Sequence, residues 1–113
     1  MQFTSFVSLV AALAVGASAA SNIHVNYYTD GGCSSYASSP PNVPTDGLGC
    51  YNWQWTGANS ANIANCNGFR QCSCLFFTQS NCQGAVQAVT YGGNNCASNW
   101  GHGFVSFRCQ GLN

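Results

Sequence analysis

Lysine and glutamate are absent from this chain, and among its 113 residues only Arg70, Arg108, Asp30 and Asp46 are fully ionised at neutral pH. The formal net charge is zero. Two cations cannot form the basic stripe that tracks a phosphate backbone, which removes the electrostatic footprint of a nucleic-acid binder. The same scarcity argues against a cationic peptide that finds anionic lipid through a basic face. Carboxylate-based acid–base catalysis has little to work with. Asp30 and Asp46 both sit in glycine-flanked turns, where a solvated capping role is expected. Few basic residues also mean few trypsin-type cleavage points, as suits a protease-tolerant extracellular protein. Sustained helical periodicity is missing too, and no second long apolar run follows the N-terminus.

The first apolar run is Phe6 to Val15, followed by the small-residue cleavage pattern Ala17-Ser18-Ala19. Its length is that of a signal-peptide h-region, short of the roughly 20 apolar residues a membrane span needs. Residues 1–19 are therefore read as a signal peptide, and 20–113 as one secreted domain. That domain is rich in cysteine: Cys33, Cys50, Cys66, Cys72, Cys74, Cys82, Cys96 and Cys109. An even count in a short secreted chain predicts a disulfide framework. Such bridges offset the limited core a small domain can bury.

One phrase organises the domain. Cys74-Leu75-Phe76-Phe77-Thr78-Gln79-Ser80-Asn81-Cys82 reads as an aromatic strand running into a polar turn stapled by cysteine. It has an earlier copy in Val25-Asn26-Tyr27-Tyr28-Thr29-Asp30-Gly31-Gly32-Cys33. Cys33, Cys50 and Cys66 then align with Cys82, Cys96 and Cys109, with loops shortening in the second copy. The pseudo-repeats span about 22–68 and 70–113. Strands are expected over 24–28, 70–78, 85–91 and 104–109, with an extended segment at 50–55. Residues 57–65 carry the weakest signal and fit either a helical turn or an irregular strand. Pro40, Pro41 and Pro44 exclude a helix and a central strand from their loop. The expected fold is all-β: a small disulfide-rich sandwich of two Greek keys.

The duplicated aromatic-strand–turn–Cys phrase, with Ser106-Phe107-Arg108-Cys109 closing the second copy, resembles the microbial single-domain βγ-crystallin-like proteins. Disulfide-bonded members of that group include yeast killer-toxin-like proteins and a secreted metalloprotease inhibitor. The mature chain as a whole resembles the small secreted cysteine-rich proteins of filamentous fungi, many regarded as candidate effectors. The resemblance implies a secreted, non-enzymatic, monomeric protein acting on a host or competing organism through a host or microbial protein or a cell-wall glycan. An effector or elicitor with a role in virulence is the first expectation. Killer-toxin-like antimicrobial action, protease inhibition and carbohydrate binding are the alternatives. If the halves are bridged alike, Cys33 pairs with Cys50 and Cys82 with Cys96. Greek-key adjacency of first and last strands would pair Cys74 with Cys109, leaving Cys66 with Cys72.

Several residues are candidates to carry chemistry. Asn94, Asn95 and Ser98 lie in a phrase close to the βγ-crystallin calcium motif. Asn99 stands at its last position instead of serine, and the site lacks the carboxylates calcium prefers. An Asn-rich turn is the expectation there, with no metal and no cofactor. His24 and His102 with Arg70 and Arg108 offer two imidazoles and two cations, the parts of a ribonuclease-like site, and no supporting carboxylate. Cys72-x-Cys74 lacks the paired spacing of structural zinc sites. Trp53, Trp55 and Trp100 with Tyr27, Tyr28, Tyr36, Tyr51 and Tyr91, and His102 beside Trp100, could form a binding surface for sugars or a partner. The competing reading is that the aromatics fill a core short of aliphatic residues.

Overall fold

The computed structural model describes residues 21–53, 59–99 and 103–113. The signal-peptide reading of 1–19 therefore lies outside the described residues. Among the described residues eight strands follow one another: β1 (Asn22–Tyr28), β2 (Tyr36–Ser38), β3 (Tyr51–Asn52), β4 (Ser60–Asn67), β5 (Gln71–Gln79), β6 (Gln83–Thr90), β7 (Ala97–Ser98) and β8 (Ser106–Leu112). They form two four-stranded antiparallel sheets, ordered β2-β1-β4-β7 and β3-β8-β5-β6. The protein is an all-β, disulfide-rich two-Greek-key sandwich.

Each half of the chain contributes four strands, and its first and last strands lie side by side: β1 with β4, β5 with β8. The third strand of each half leaves for the opposite sheet. β3 pairs with β8 through Tyr51–Phe107, and β7 pairs with β4 through Ala97–Ala61. This exchange decides the disulfides. Cys50, just before β3, is carried to Cys82, while Cys96, just before β7, is carried to Cys33. The expected Cys33–Cys50 and Cys82–Cys96 pairs are thus corrected. The halves are bridged alike, but each of these bridges runs between halves. Cys66–Cys72 and Cys74–Cys109 are as expected. No free thiol remains.

A second correction concerns the repeat itself. Cys109 stands opposite Cys74 in the register where the first half sets Ile63 opposite Val25. Cys109 is therefore the counterpart of Ile63, not of Cys66. A disulfide in one half occupies the place of an apolar pair in the other. The weakly patterned stretch before Cys66 forms β4, a central strand, because Ala61 and Ile63 point inward and β1 supplies a full ladder. Tertiary pairing overrides weak local preference there.

Alternation builds the core. Val25, Tyr27, Ile63, Cys72, Cys74, Phe76, Phe107 and Cys109 are inward and almost wholly buried. Aromatic rings fill the centre, with Phe76 within 6.0 Å of Tyr27, Phe104 and Phe107. Such edge and tilted contacts are the preferred geometry of ring quadrupoles. Phe69 lies against Gly111 so closely that any β-carbon there would meet its ring.

Two buried serines lock the strand–turn–Cys phrases. Ser60 Oγ donates to the Asp30 carbonyl at 2.6 Å and accepts from the Cys33 amide at 3.0 Å. Ser106 Oγ repeats this with the Gln79 carbonyl at 2.5 Å and the Cys82 amide at 2.9 Å. The turns need this support because Cys33 and Cys82 sit at φ 57° and 56°, a left-handed region costly for any residue with a β-carbon. Ser106→Ala would strand a donor and an acceptor, so a loss of about 1–3 kcal/mol in urea unfolding is expected. A change inside experimental error would mean that the Cys50–Cys82 bridge alone holds the turn.

Candidate functional site

Inward Val25 and Tyr27 leave His24, Asn26 and Tyr28 on the outer face of the first sheet. β2 and the residue after it bring Tyr36 and Ser39 beside them, and β4 brings Asn62. These six side chains form one hydrogen-bonded string. Ser39 Oγ donates to Asn26 Oδ1 at 2.6 Å. Asn26 Nδ2 donates to the Tyr28 hydroxyl at 3.3 Å, and that hydroxyl donates to Asn62 Oδ1 at 3.1 Å. With the Ser39 proton committed to Asn26, Tyr36 OH at 2.8 Å and His24 Nε2 at 3.3 Å are placed as donors to Ser39 Oγ. Tyr36 is 60% exposed and stands edge-on to Tyr28 at 6.4 Å.

The string borders an open groove of about 630 Å³, lined by Asn22 and His24 from β1 and by Ser39, Pro40, Pro41 and Asn42 from the following loop. Prolines and the Tyr51 hydroxyl, which donates to the Pro41 carbonyl at 2.8 Å, hold the loop wall. No Lys, Arg, Asp or Glu side chain lines the groove. Chemically, it offers neutral donors and acceptors beside an exposed ring. Ser39 Oγ donates to the amide oxygen of Asn26, and His24 Nε2 stands 3.3 Å from the same hydroxyl.

The residues singled out from sequence are dispersed. Asn95 clamps β4: its Oδ1 accepts from the Ile63 amide at 2.9 Å and its Nδ2 donates to the Ile63 carbonyl at 2.7 Å. Ser98 is held by its backbone, its amide and carbonyl bonding the Gln87 side chain at 2.9 and 2.6 Å. The carbonyl of Asn94 accepts from the Thr90 amide at 2.9 Å. Among the described residues no group of three or more His, Cys, Asp and Glu is placed to hold a metal ion. Cys72 and Cys74 are in disulfides, so neither is a thiolate ligand.

Trp53 is half-buried against the core; its Nε1 donates to Ser38 Oγ at 3.2 Å and its ring packs on Tyr51. It closes an edge of the sandwich. Trp55, Trp100 and His102 lie outside the described residues. His24 and Arg108 occupy outer faces of opposite sheets, so they do not converge on one substrate. Arg108 instead lies over the Phe77 ring at 5.5 Å.

Both aspartates cap turns. Asp30 accepts from Ser34 Oγ and from the amides of Ser35, Ser34 and Gly32, which hold its carboxyl far below the usual carboxylate range. Asp46 accepts from the Gly49 and Leu48 amides, which lower it too. Burial pushes the Tyr27 phenol well above its ordinary value. For the aspartates, the folded value lies below the unfolded one. Their stabilisation is complete above about pH 4 and fades as pH falls through the lowered folded values. For Tyr27 the folded value is raised, so its contribution is complete below about pH 10 and fades above it. Asp30→Asn with Asp46→Asn should lower stability at neutral pH and converge on the parent in strong acid. Urea midpoints against pH measure this, and parallel curves for parent and variant would refute it.

The class defined is a small disulfide-knit β-sandwich presenting an open groove of mixed polar and apolar lining, free of Lys, Arg, Asp and Glu. Comparison with protein-family models, curated proteins and solved structures finds no match. Sequence reasoning counted Tyr36 among the aromatics of a possible carbohydrate platform and missed Asn26, Ser39 and Asn62 as site residues. Alternation along β1 was a usable signal for Asn26 and Tyr28. Nothing local announced that Ser39 returns across a turn to join them.

Proposed function

We propose that this chain is a secreted, non-enzymatic recognition protein of the effector or elicitor type, engaging a host or competing organism through the groove beside Tyr36 and Ser39. The carrying observation is the hydrogen-bonded string that borders that groove, a set of neutral donors and acceptors held in place before any partner arrives. Four disulfides are compatible with an oxidising extracellular setting. Among the described residues no helix is long and apolar enough to cross a membrane.

The test is leaf infiltration of the oxidised domain beside a reduced and alkylated control and a Tyr36→Ala, Ser39→Ala variant. Cell death or an oxidative burst from the oxidised parent alone supports recognition through this face. An equal response to the variant moves the binding surface elsewhere. Silence in leaves with inhibition of yeast growth favours the killer-toxin-like alternative. A carbohydrate-binding reading draws on the same groove, since neutral amides and hydroxyls beside an exposed tyrosine suit sugar hydroxyls and C–H faces. Chitin or glucan pull-down lost on Tyr36→Ala would support it.

A further inference from the structure

The four sheet edges of this sandwich are not equivalent. β3 and β7 are two residues long, and β2 is three residues long and runs through Ser39 into Pro40-Pro41. Short strands and proline are the usual guards against edge-to-edge pairing. β6 has none of them. It spans eight residues, Gln-Gly-Ala-Val-Gln-Ala-Val-Thr, with no charge and no proline, and its first six residues are exposed.

Its hydrogen-bonding direction is set at both ends. The Tyr91 amide bonds the Cys72 carbonyl, and the Ala85 amide bonds Thr78 Oγ1, so odd-numbered residues of β6 face β5. The amides and carbonyls of Val86 and Ala88 therefore point away from the sheet. The next outward amide, Thr90, is occupied by the Asn94 carbonyl. Gln87 is likewise occupied, its side chain clamping Ser98 across the sandwich edge.

We propose that β6 pairs with β6 of a second copy of this chain, antiparallel about a two-fold axis at Gln87, joining the second sheets of two molecules into one eight-stranded sheet. In this register Val86 of each copy lies opposite Ala88 of the other. Both residues then exchange amide and carbonyl bonds, using the groups shown to be outward-facing. A large side chain meets a small one, and half-exposed Val86 is covered. The occupant is a second copy because an antiparallel two-fold makes an edge complementary to itself. Zero net charge on the chain and no ionisable group on the strand leave nothing to oppose the approach. The pairing is independent of the groove on the other sheet and replaces the monomer expected from sequence.

Sedimentation equilibrium of the oxidised protein from micromolar to millimolar concentration is the first measurement. The apparent mass should climb toward twice that of one chain. Amide exchange at Val86 and Ala88 should slow by about tenfold over the same range, while Gln87 and Val89, already bonded to β5, should not change. Val86→Lys places a cation in each copy beside the axis. Ala88→Pro removes an amide that the single chain does not use. Both should retain the parent thermal midpoint within a few degrees and stay monomeric. A parent that remains monomeric throughout overturns the proposal. So does association that survives both substitutions, or protection confined to other strands. Binding of an unrelated extended peptide at Val86 and Ala88 by a parent that never self-associates would also overturn it, by naming a different occupant.

Discussion

Replacing Cys33 and Cys96 together by alanine is expected to lower the unfolding free energy by about 4 kcal/mol, the largest loss of any single bridge. The reason is span. That bridge closes a separation of 63 residues, against 35 for Cys74–Cys109, 32 for Cys50–Cys82 and 6 for Cys66–Cys72. Closing a longer loop removes more freedom from the unfolded chain, so the middle two should cost somewhat less than about 4 kcal/mol and the shortest about 2. Position reinforces the order. Cys33–Cys96 ties the turn after β1 to the entry of β7, the strand the second half lends to the first sheet. Without it, β7 is left with a two-residue pairing with β4, the Gln87 and Asn95 clamps, and the bond from the Asn99 amide to the Asn59 carbonyl beside it, among the described residues. Guanidinium unfolding of the four double-alanine variants measures the ranking. Equal losses for the longest and shortest loops would falsify the loop-entropy account for this protein.

Phe107→Ala should cost about 3–5 kcal/mol, the range for truncating a buried aromatic. Phe107 is fully buried and stacks on Tyr51 at 5.2 Å with rings nearly parallel. It also meets Phe76 at 5.5 Å and Tyr27 at 6.3 Å. It therefore sits where the lent strand β3 and the first strand of each half come together. Cross-linked strands on every side cannot collapse freely into the void, which places the expected cost toward the upper end. Tyr36→Ala, on the exposed face, should change stability by no more than about 1 kcal/mol. Denaturant midpoints of the two variants test the contrast. Similar losses would mean that the outer hydrogen-bonded string, not the aromatic centre, holds the sandwich.

The candidate site was only half legible. Placing Val25 and Tyr27 inward puts His24, Asn26 and Tyr28 outward without any further information. Ser39 and Tyr36 join them through a turn whose path depends on the β1–β2 register, and that register shifts between Tyr27 and Tyr28. A shift of that kind cannot be read from period-two patterning, because it changes which residues face each other without changing which are apolar. Trp53 shows the opposite difficulty. An indole beside polar residues suits a binding platform, and only packing reveals that its N–H is tied to Ser38.

By itself the sequence determined the class of the molecule. The absence of lysine and glutamate argued against charge-driven partners, and the paired aromatic phrases announced two similar β units. Glycine, asparagine and aspartate marked the turns, and the cysteine count implied the framework. These are local properties, carried by composition and by the two-residue period of a strand. Only the tertiary structure decided which half lends its third strand to which sheet, and with it two of the four disulfides. The same exchange left β6 as the long uncovered edge and set Cys109 where the first half has Ile63. Such choices compare packings that the same local preferences serve equally well. They are settled by which arrangement buries the rings of Tyr27, Phe76 and Phe107 together.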